Sequence, residues 1–336
     1  MCGRNWQQTA IKLPCIRETI QAMTDNKVYI GGFSYELGEH VFGVEELEEI
    51  REDKELVEKF HEVGLKNYRT TSKPVLEIAE MAIRNFFSLD IIAPADIDAV
   101  IFCTNSFWCD QEFSEYPLTD FLQRLGLSYA YPIASSFSYC GNFLTGARTA
   151  CNYIKANEFK NILLVVADRT ANGITRIVPP LLSIGSDAAS CCLLTSGKLF
   201  DLEISGISQS MDAKMGKLDA GKDFVAYTQG VAKGVVGNIK SSLLKARVEK
   251  NDLTRVISNN YNRWATLGMV RVAGIPIEKV SLENIPRFAH AGASDICINM
   301  ADHLATSGGA KNEEILLLST GPVMWGSAIV RNTSDQ

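Results

Sequence analysis

Apolar positions along the chain fall into two patterns. Continuous runs of four to eight residues, bounded by polar or glycine-rich turns, predict buried strands at 27–33, 99–104, 129–134, 161–168, 188–194, 256–260 and 314–321. Spacing of three and four predicts helices at 44–60, 74–87, 118–125, 144–155, 231–248, 262–273 and 296–304. The clearest is 74–87, where Val75, Ile78, Ala79, Ala82, Ile83 and Phe86 share one face. The stretch 44–60 is rich in Glu and Lys and reads as a solvated helix, whose charges need no functional reading. Residues 94–98, Pro-Ala-Asp-Ile-Asp, form a turn.

Two passages of this pattern repeat. Residues 95–105 resemble 251–260, and each follows an amphipathic helix. The run 161–166 followed by Ser186-Asp187-Ala188-Ala189 resembles 314–319 followed by Trp325-Gly326-Ser327-Ala328. Both pairs occur in the same order, which predicts a duplicated α/β unit. The division expected is an appendage at 1–26, one half at 27–200 and a second at 201–336. Alternating strands and helices predict helices outside and mostly parallel sheets inside.

Composition narrows the function. At 46% hydrophobic and 21% charged, the chain is ordinary globular material. A formal charge of −6 argues against a nucleic-acid binder. No apolar run reaches the length of a membrane span. The first residues, Met1-Cys2-Gly3-Arg4-Asn5-Trp6, lack the order of a signal peptide. Nine cysteines without an export signal then predict free thiols in a reducing, cytoplasmic compartment. No cysteine pair shows metal-site spacing, so no metal is expected. Any imidazole base must be His40, His61, His290 or His303.

The stretch Ser136-Phe137-Ser138-Tyr139-Cys140-Gly141-Asn142-Phe143 joins a predicted strand to a predicted helix. A cysteine there faces the positive end of the helix dipole, which favours the nucleophilic thiolate. Taken alone, any one of nine cysteines is better read as a small buried hydrophobe. In a duplicated α/β fold the strand ends of both halves can converge on one site. Four polar stretches then become candidates: the Cys140 turn, Ser258-Asn259-Asn260, Ala289 to Asp295 around His290, and Thr320-Gly321-Pro322. A thiol, an imidazole, a side-chain amide and backbone amides are the parts for acyl transfer.

These motifs resemble the thiolase superfamily, in its β-ketoacyl-acyl-carrier-protein synthase III branch, from about Lys27 to Arg331. Cys140 matches the family's nucleophile turn, Ile184 to Ala189 its Gly-Asp-Gly-Ala strand, and Gly321 to Ala328 its glycine loop and Trp-Gly-Ser-Ala ending. The resemblance implies a layered α-β-α-β-α thiolase-like fold and a homodimer formed through the strand 161–168. It also implies backbone amides of Cys140 and Gly321 at the oxyanion.

The departures carry the finer expectation. The synthases have histidine where this chain has Asn259, and asparagine where it has His290. Cys140, His290 and Asp295 resemble the Cys-His-Asp set of synthase-III-like acyltransferases from natural-product pathways, such as antibiotic biosynthesis. Those enzymes pass an acyl group to a hydroxyl or amine. Asp295 could hold the imidazole or cap the helix that follows it. Asn259 is expected as a donor to the oxyanion or to Cys140. Glu62 stands where the synthases place a coenzyme-A-binding arginine, and no tryptophan precedes it. No permanently bound cofactor is expected, and the donor is expected on the phosphopantetheine of an acyl carrier protein. Lys233, Arg263 and Arg271 match the docking region. Phe107, Trp108, Phe113 and Tyr116 fit an acyl pocket or a dimer contact equally. A decarboxylating condensing enzyme and a non-catalytic partner subunit are the alternatives.

Overall fold

The computed structural model describes residues 26–106, 115–171, 173–179 and 181–334. The expected appendage up to residue 25 lies outside them, as do Phe107, Trp108, Phe113 and the Tyr116 side chain. Thirteen strands are described: β1 (Tyr29–Leu37), β2 (His40–Gly43), β3 (Asn67–Thr70), β4 (Ala99–Cys103), β5 (Tyr131–Ser135), β6 (Asn161–Asp168), β7 (Ile177–Val178), β8 (Ser183–Ile184), β9 (Ala188–Thr195), β10 (Leu202–Met211), β11 (Arg255–Ser258), β12 (Glu314–Thr320) and β13 (Met324–Asn332). The helices are α1 (Lys54–Glu62), α2 (Val75–Phe87), α3 (Glu115–Arg124), α4 (Asn142–Lys155), α5 (Phe224–Ala246), α6 (Arg263–Val272), α7 (Ile285–Phe288) and α8 (Asp295–Ser307). None of them is long and apolar enough to cross a membrane.

The expected helix over 44–60 begins only at Lys54. Asp53 caps it by accepting from the Leu56 amide at 3.0 Å, and Val44, Leu47 and Ile50 are buried by turns instead.

The duplication is explicit in the topology. The sheet order is β11-β12-β13-β10-β1-β9-β6-β4-β5, and the join between β1 and β10 is a single residue pair, Tyr29 with Glu203. Counting each half in chain order, the first reads third-second-fourth-fifth-first. The second half repeats this order with β11, β12, β13 and β10, and a parallel bridge from Val256 to Val280 stands for its third strand. Strands β1, β4, β5 and β6 run one way, with β9 reversed; β10, β11 and β12 share a direction, with β13 reversed. The sheets are thus mostly parallel in direction, with one antiparallel strand inserted in each half.

Helices α4 and α8 form the central layer, and a core drawn from both halves surrounds them. Gly146 lets α4 lie close on the first sheet: a Cβ there would come within 2.4 Å of Leu164 and 2.7 Å of the Cys103 sulfur. Helix α2 covers the outer face of one sheet and α5 that of the other.

One expectation about assembly is corrected here. Strand 161–168 is β6, and its backbone is paired on one side to β4 and on the other to β9. It has no open edge to offer a second copy. The open edge of that half is β5, where Tyr131 is 62% exposed and the flanking Tyr129 is 93% exposed.

Candidate active site

The strand β5 stops at Ser135, and the chain turns sharply before α4. Phe137 and Tyr139 both adopt positive φ, 62° and 46°, which is costly for bulky residues and points to a turn held by its surroundings. Three contacts hold it. Ser319 donates through Oγ to the Cys140 carbonyl at 2.5 Å. Asn142, buried at the first position of α4, accepts from the Ser138 amide at 3.2 Å. Gly321 packs against the turn, because a Cβ there would meet the Ser138 carbonyl at 3.4 Å. Cys140 therefore sits one short turn before the N-terminus of α4, where the helix field favours negative charge on sulfur.

The three groups expected together are together. Cys140 Sγ lies 3.0 Å from His290 Nε2, and His290 Nδ1 lies 2.5 Å from Asp295 Oδ2. Asp295 is fully buried, and it also accepts from the amides of Asn260 and Ala291, both at 2.8 Å. Its carboxylate thus orients the ring and ties two loops, and it does not cap α8 through that helix's own amides. The His290 backbone is fixed by a parallel bridge to Gly185: His290 N donates to Ile184 O, and Ser186 N to His290 O. This is where the Ile184 to Ala189 motif acts. The preceding Ala289 has φ 51° and ψ −125°, a strained conformation that aims the histidine inward.

Burial works against a charge on His290, but the neighbouring Cys140 sulfur and the Asp295 carboxylate outweigh it. The imidazole is held protonated well above its ordinary range. The arrangement sets a protonated imidazole against the Cys140 sulfur.

Asn259 was expected as a donor to the oxyanion or to Cys140, and it reaches Cys140 through the backbone; Gly321 was expected at the oxyanion, and its amide is engaged elsewhere. Asn259 donates to backbone carbonyls, at 3.2 Å to Gly292 and 3.5 Å to Cys140, while its oxygen accepts from the Thr320 amide at 2.9 Å. It braces three loops around the thiol, and its contact with Cys140 is with the carbonyl. The Gly321 amide donates to Met324 O at 2.8 Å, closing the turn between β12 and β13. It is engaged there, where an oxyanion donor would have to be open.

Other residues were not singled out from sequence. Ser319 and Asn142 look like ordinary strand and helix residues there. Tyr261 is buried with its ring 5.0 Å from that of His290, and its hydroxyl donates to Thr320 O at 2.7 Å. Asp168, at the end of β6, accepts from Thr104 Oγ1 at 3.0 Å and the Asn105 amide at 2.6 Å. Burial pushes its carboxyl up to about 6, against the pull of those hydrogen bonds and of His290. The one hint of it was its place at the end of an apolar strand.

A cavity of about 700 Å³ opens from Cys140 to the surface. Tyr139, Cys140, Tyr261 and Gly321 lie at its inner end, with Val231 on α5 and Met269 on α6 among its walls. Lys233, Arg263 and Arg271 are exposed on the same two helices. Glu62 ends α1 and is exposed; the neighbouring Val63 carbonyl accepts from the Arg263 amide at 2.9 Å. Among the described residues no cluster of side chains could hold a metal ion.

No family model matches the chain. A β-ketoacyl-[acyl-carrier-protein] synthase III of Listeria monocytogenes is 26% identical over 267 residues, covering 76% of this chain and 81% of the relative. The synthase III of Staphylococcus haemolyticus is 26% identical over 255 residues, with 71% and 78% covered. Among solved structures, the 3-oxoacyl-[acyl-carrier-protein] synthase III of Aquifex aeolicus superposes with a TM-score of 0.75 at 19% identity, covering 90% of this chain and 99% of that one. ChlB3, named as an acyltransferase, gives 0.78 at 17% identity, with 91% and 98% covered.

Proposed function

We propose that the chain is a synthase-III-like protein of the thiolase superfamily, and that it is an acyltransferase working through an acyl-Cys140 intermediate. The observation that carries this reading is the Cys140–His290–Asp295 connection, with 3.0 Å and 2.5 Å between its members. The Cys140 thiolate attacks the donor carbonyl and forms a new C–S bond. The bond to the pantetheine sulfur breaks, and that sulfur takes the His290 proton as it leaves. A hydroxyl or amine acceptor then gives its proton to the neutral imidazole and attacks the acyl carbon, releasing the Cys140 sulfur. Condensation would need groups to hold an enolate. The Asn259 amide is already spent on backbone carbonyls, which weighs against that alternative. An intact Cys140–His290 pair weighs against a non-catalytic partner subunit.

The donor we propose is a phosphopantetheine thioester on an acyl carrier protein, in a secondary-metabolic pathway. Exposed Arg263, Arg271 and Lys233 near the cavity mouth suit an acidic carrier despite the net charge of −6. Mixed with a carrier-bound acyl group, the protein should gain its mass, then lose it to an acceptor, with no carbon dioxide released from a malonyl donor. Arg271→Glu should slow loading from the carrier by about tenfold and spare a short pantetheine thioester. Carbon dioxide release, or equal losses with both donors, would refute the respective assignments.

We also propose a homodimer, now through β5. Two copies paired along this edge would extend the sheet and cover Tyr129 and Tyr131. Pro132 in its middle is the kind of residue an edge strand tolerates. Sedimentation at micromolar concentration should give a dimer, and Tyr131→Asp should shift it toward monomer. A monomeric parent protein would remove this interface.

A further inference from the structure

Resting on the acyl-enzyme reading, we infer that the chamber above Cys140 takes an uncharged, largely apolar acceptor whose nucleophile is a hydroxyl, and that an aliphatic amine is excluded. The wall is the first observation. Among the described residues, no Asp, Glu, Lys or Arg contributes to it. Val178, Leu182, Val231, Met269 and Val272 are among its apolar lining. Among the same described residues, hydroxyls are its only other polar side-chain groups apart from the Cys140 thiol, and three of the five, those of Thr228, Tyr261 and Thr320, are engaged within the protein. Thr228 donates to the Phe224 carbonyl within its own helix, and Tyr261 donates to Thr320 O. An aliphatic amine is an ammonium ion at neutral pH, since such groups titrate near 10. To enter, it would have to shed water or a proton with no carboxylate in the wall to meet it. A neutral alcohol gives up no proton and sheds its water at a far smaller cost than an ion does.

Size and continuity are the second observation. About 700 Å³ lies inside the range of sites for drug-sized ligands. The apolar surface also runs out of the chamber. Trp264 and Val272, two turns apart on α6, are 64% and 52% exposed, and Gly268 between them leaves open space. Across the mouth, Val225 on α5 is 66% exposed. A bulky apolar scaffold could rest on these residues while its hydroxyl reaches Cys140. Donor and acceptor need not compete, because the carrier departs before the acceptor enters, so one mouth serves both in turn.

The test uses three probes on one ring: 2-(2-naphthyl)ethanol, 2-(2-naphthyl)ethylamine and 2-naphthylacetate, titrated by fluorescence into the full chain. The alcohol should bind at least about tenfold tighter than either charged probe. Thr228→Asp, at an exposed position of the wall, should improve the amine at least about threefold and weaken the acetate. A charged probe binding as well as the alcohol would overturn the inference, as would a selectivity that Thr228→Asp leaves unmoved. Loss of alcohol binding once Cys140 is acylated would also overturn it, by assigning the chamber to the acyl chain. An alcohol that binds with this selectivity to the acyl-enzyme yet never discharges it counts against the acyl-transfer reading, and leaves the ligand class of the chamber standing.

Discussion

Cys140→Ala should gain no acyl mass from any thioester donor, a loss of at least about a thousandfold in loading rate. The substitution removes the attacking atom and little else. The bonds that fix the turn run to the Cys140 carbonyl, from Ser319 and Asn259, and Ala keeps that carbonyl. The thiol itself contacts His290 Nε2 and lies beside the Tyr261 hydroxyl, and neither contact fixes the turn. The melting temperature should therefore stay close to that of the parent protein. The other described cysteines are poor substitutes. Cys103 and Cys151 are buried, and burial pushes both thiols up to about 12. Cys151, the nearest alternative along the chain, faces the core from the inner side of α4. Time-resolved intact mass with a panel of acyl carriers is the measurement. An Ala variant that still gains acyl mass would place the nucleophile elsewhere.

The fold was legible where burial leaves a simple pattern. Strands such as β6 and β9, apolar on both faces, stand out as continuous runs, and the repeated passages map onto β4 with β11 and onto β6–β9 with β12–β13. Strand β10 went unseen for a physical reason. Its buried positions include Ser208, and Gly206 is needed because α5 lies against it, a Cβ there meeting the Ser242 carbonyl at 2.4 Å. Small residues chosen for close approach carry no hydrophobic signal. The open edge of the sheet was misplaced for a related reason: a fully apolar strand marks the middle of a sheet, while β5 lies at the edge with exposed tyrosines.

The site divides the same way. Cys140 and His290 were legible because their chemistry is particular to their residue types, and the resemblance gave their order; Asp295 stood between holding the ring and capping a helix until the fold brought it to Nδ1. The residues that hold them are ordinary ones whose roles exist only in three dimensions. Asn259 and Gly321 were assigned to the reacting atoms, yet their polar groups close loops around the thiol. Ser319 pins the Cys140 carbonyl from the other half of the molecule, a contact between residues 179 apart in the chain. No local pattern encodes such a bond.

The imidazole has a part in both half-reactions, and His290→Asn should separate them. In the resting site the sulfur and the Asp295 carboxylate keep the ring protonated well above its usual range, despite burial. That proton goes out with the donor's sulfur. Acylation then removes the negative sulfur, one of the two charges that favoured imidazolium, so the ring in the acyl-enzyme is a better base than before. The switch follows from the reaction itself and needs no movement. Asparagine cannot carry a proton in either direction, and it is too short to span Asp295 and Cys140 at the distances observed. Loading should slow by on the order of a hundredfold, since the helix end still favours the thiolate but nothing protonates the leaving sulfur. Discharge should fall further, by about a thousandfold or more, because among the described residues no carboxylate or second imidazole lines the chamber at Cys140. On long incubation the variant should accumulate acyl-enzyme that added acceptor does not clear, whereas the parent protein returns to its starting mass. Raising the pH should recover part of the discharge rate by ionising a little of the acceptor, while the parent rate depends on the ring. Near-normal turnover in His290→Asn would remove the base assignment. Complete absence of loading would confine the histidine to activating Cys140.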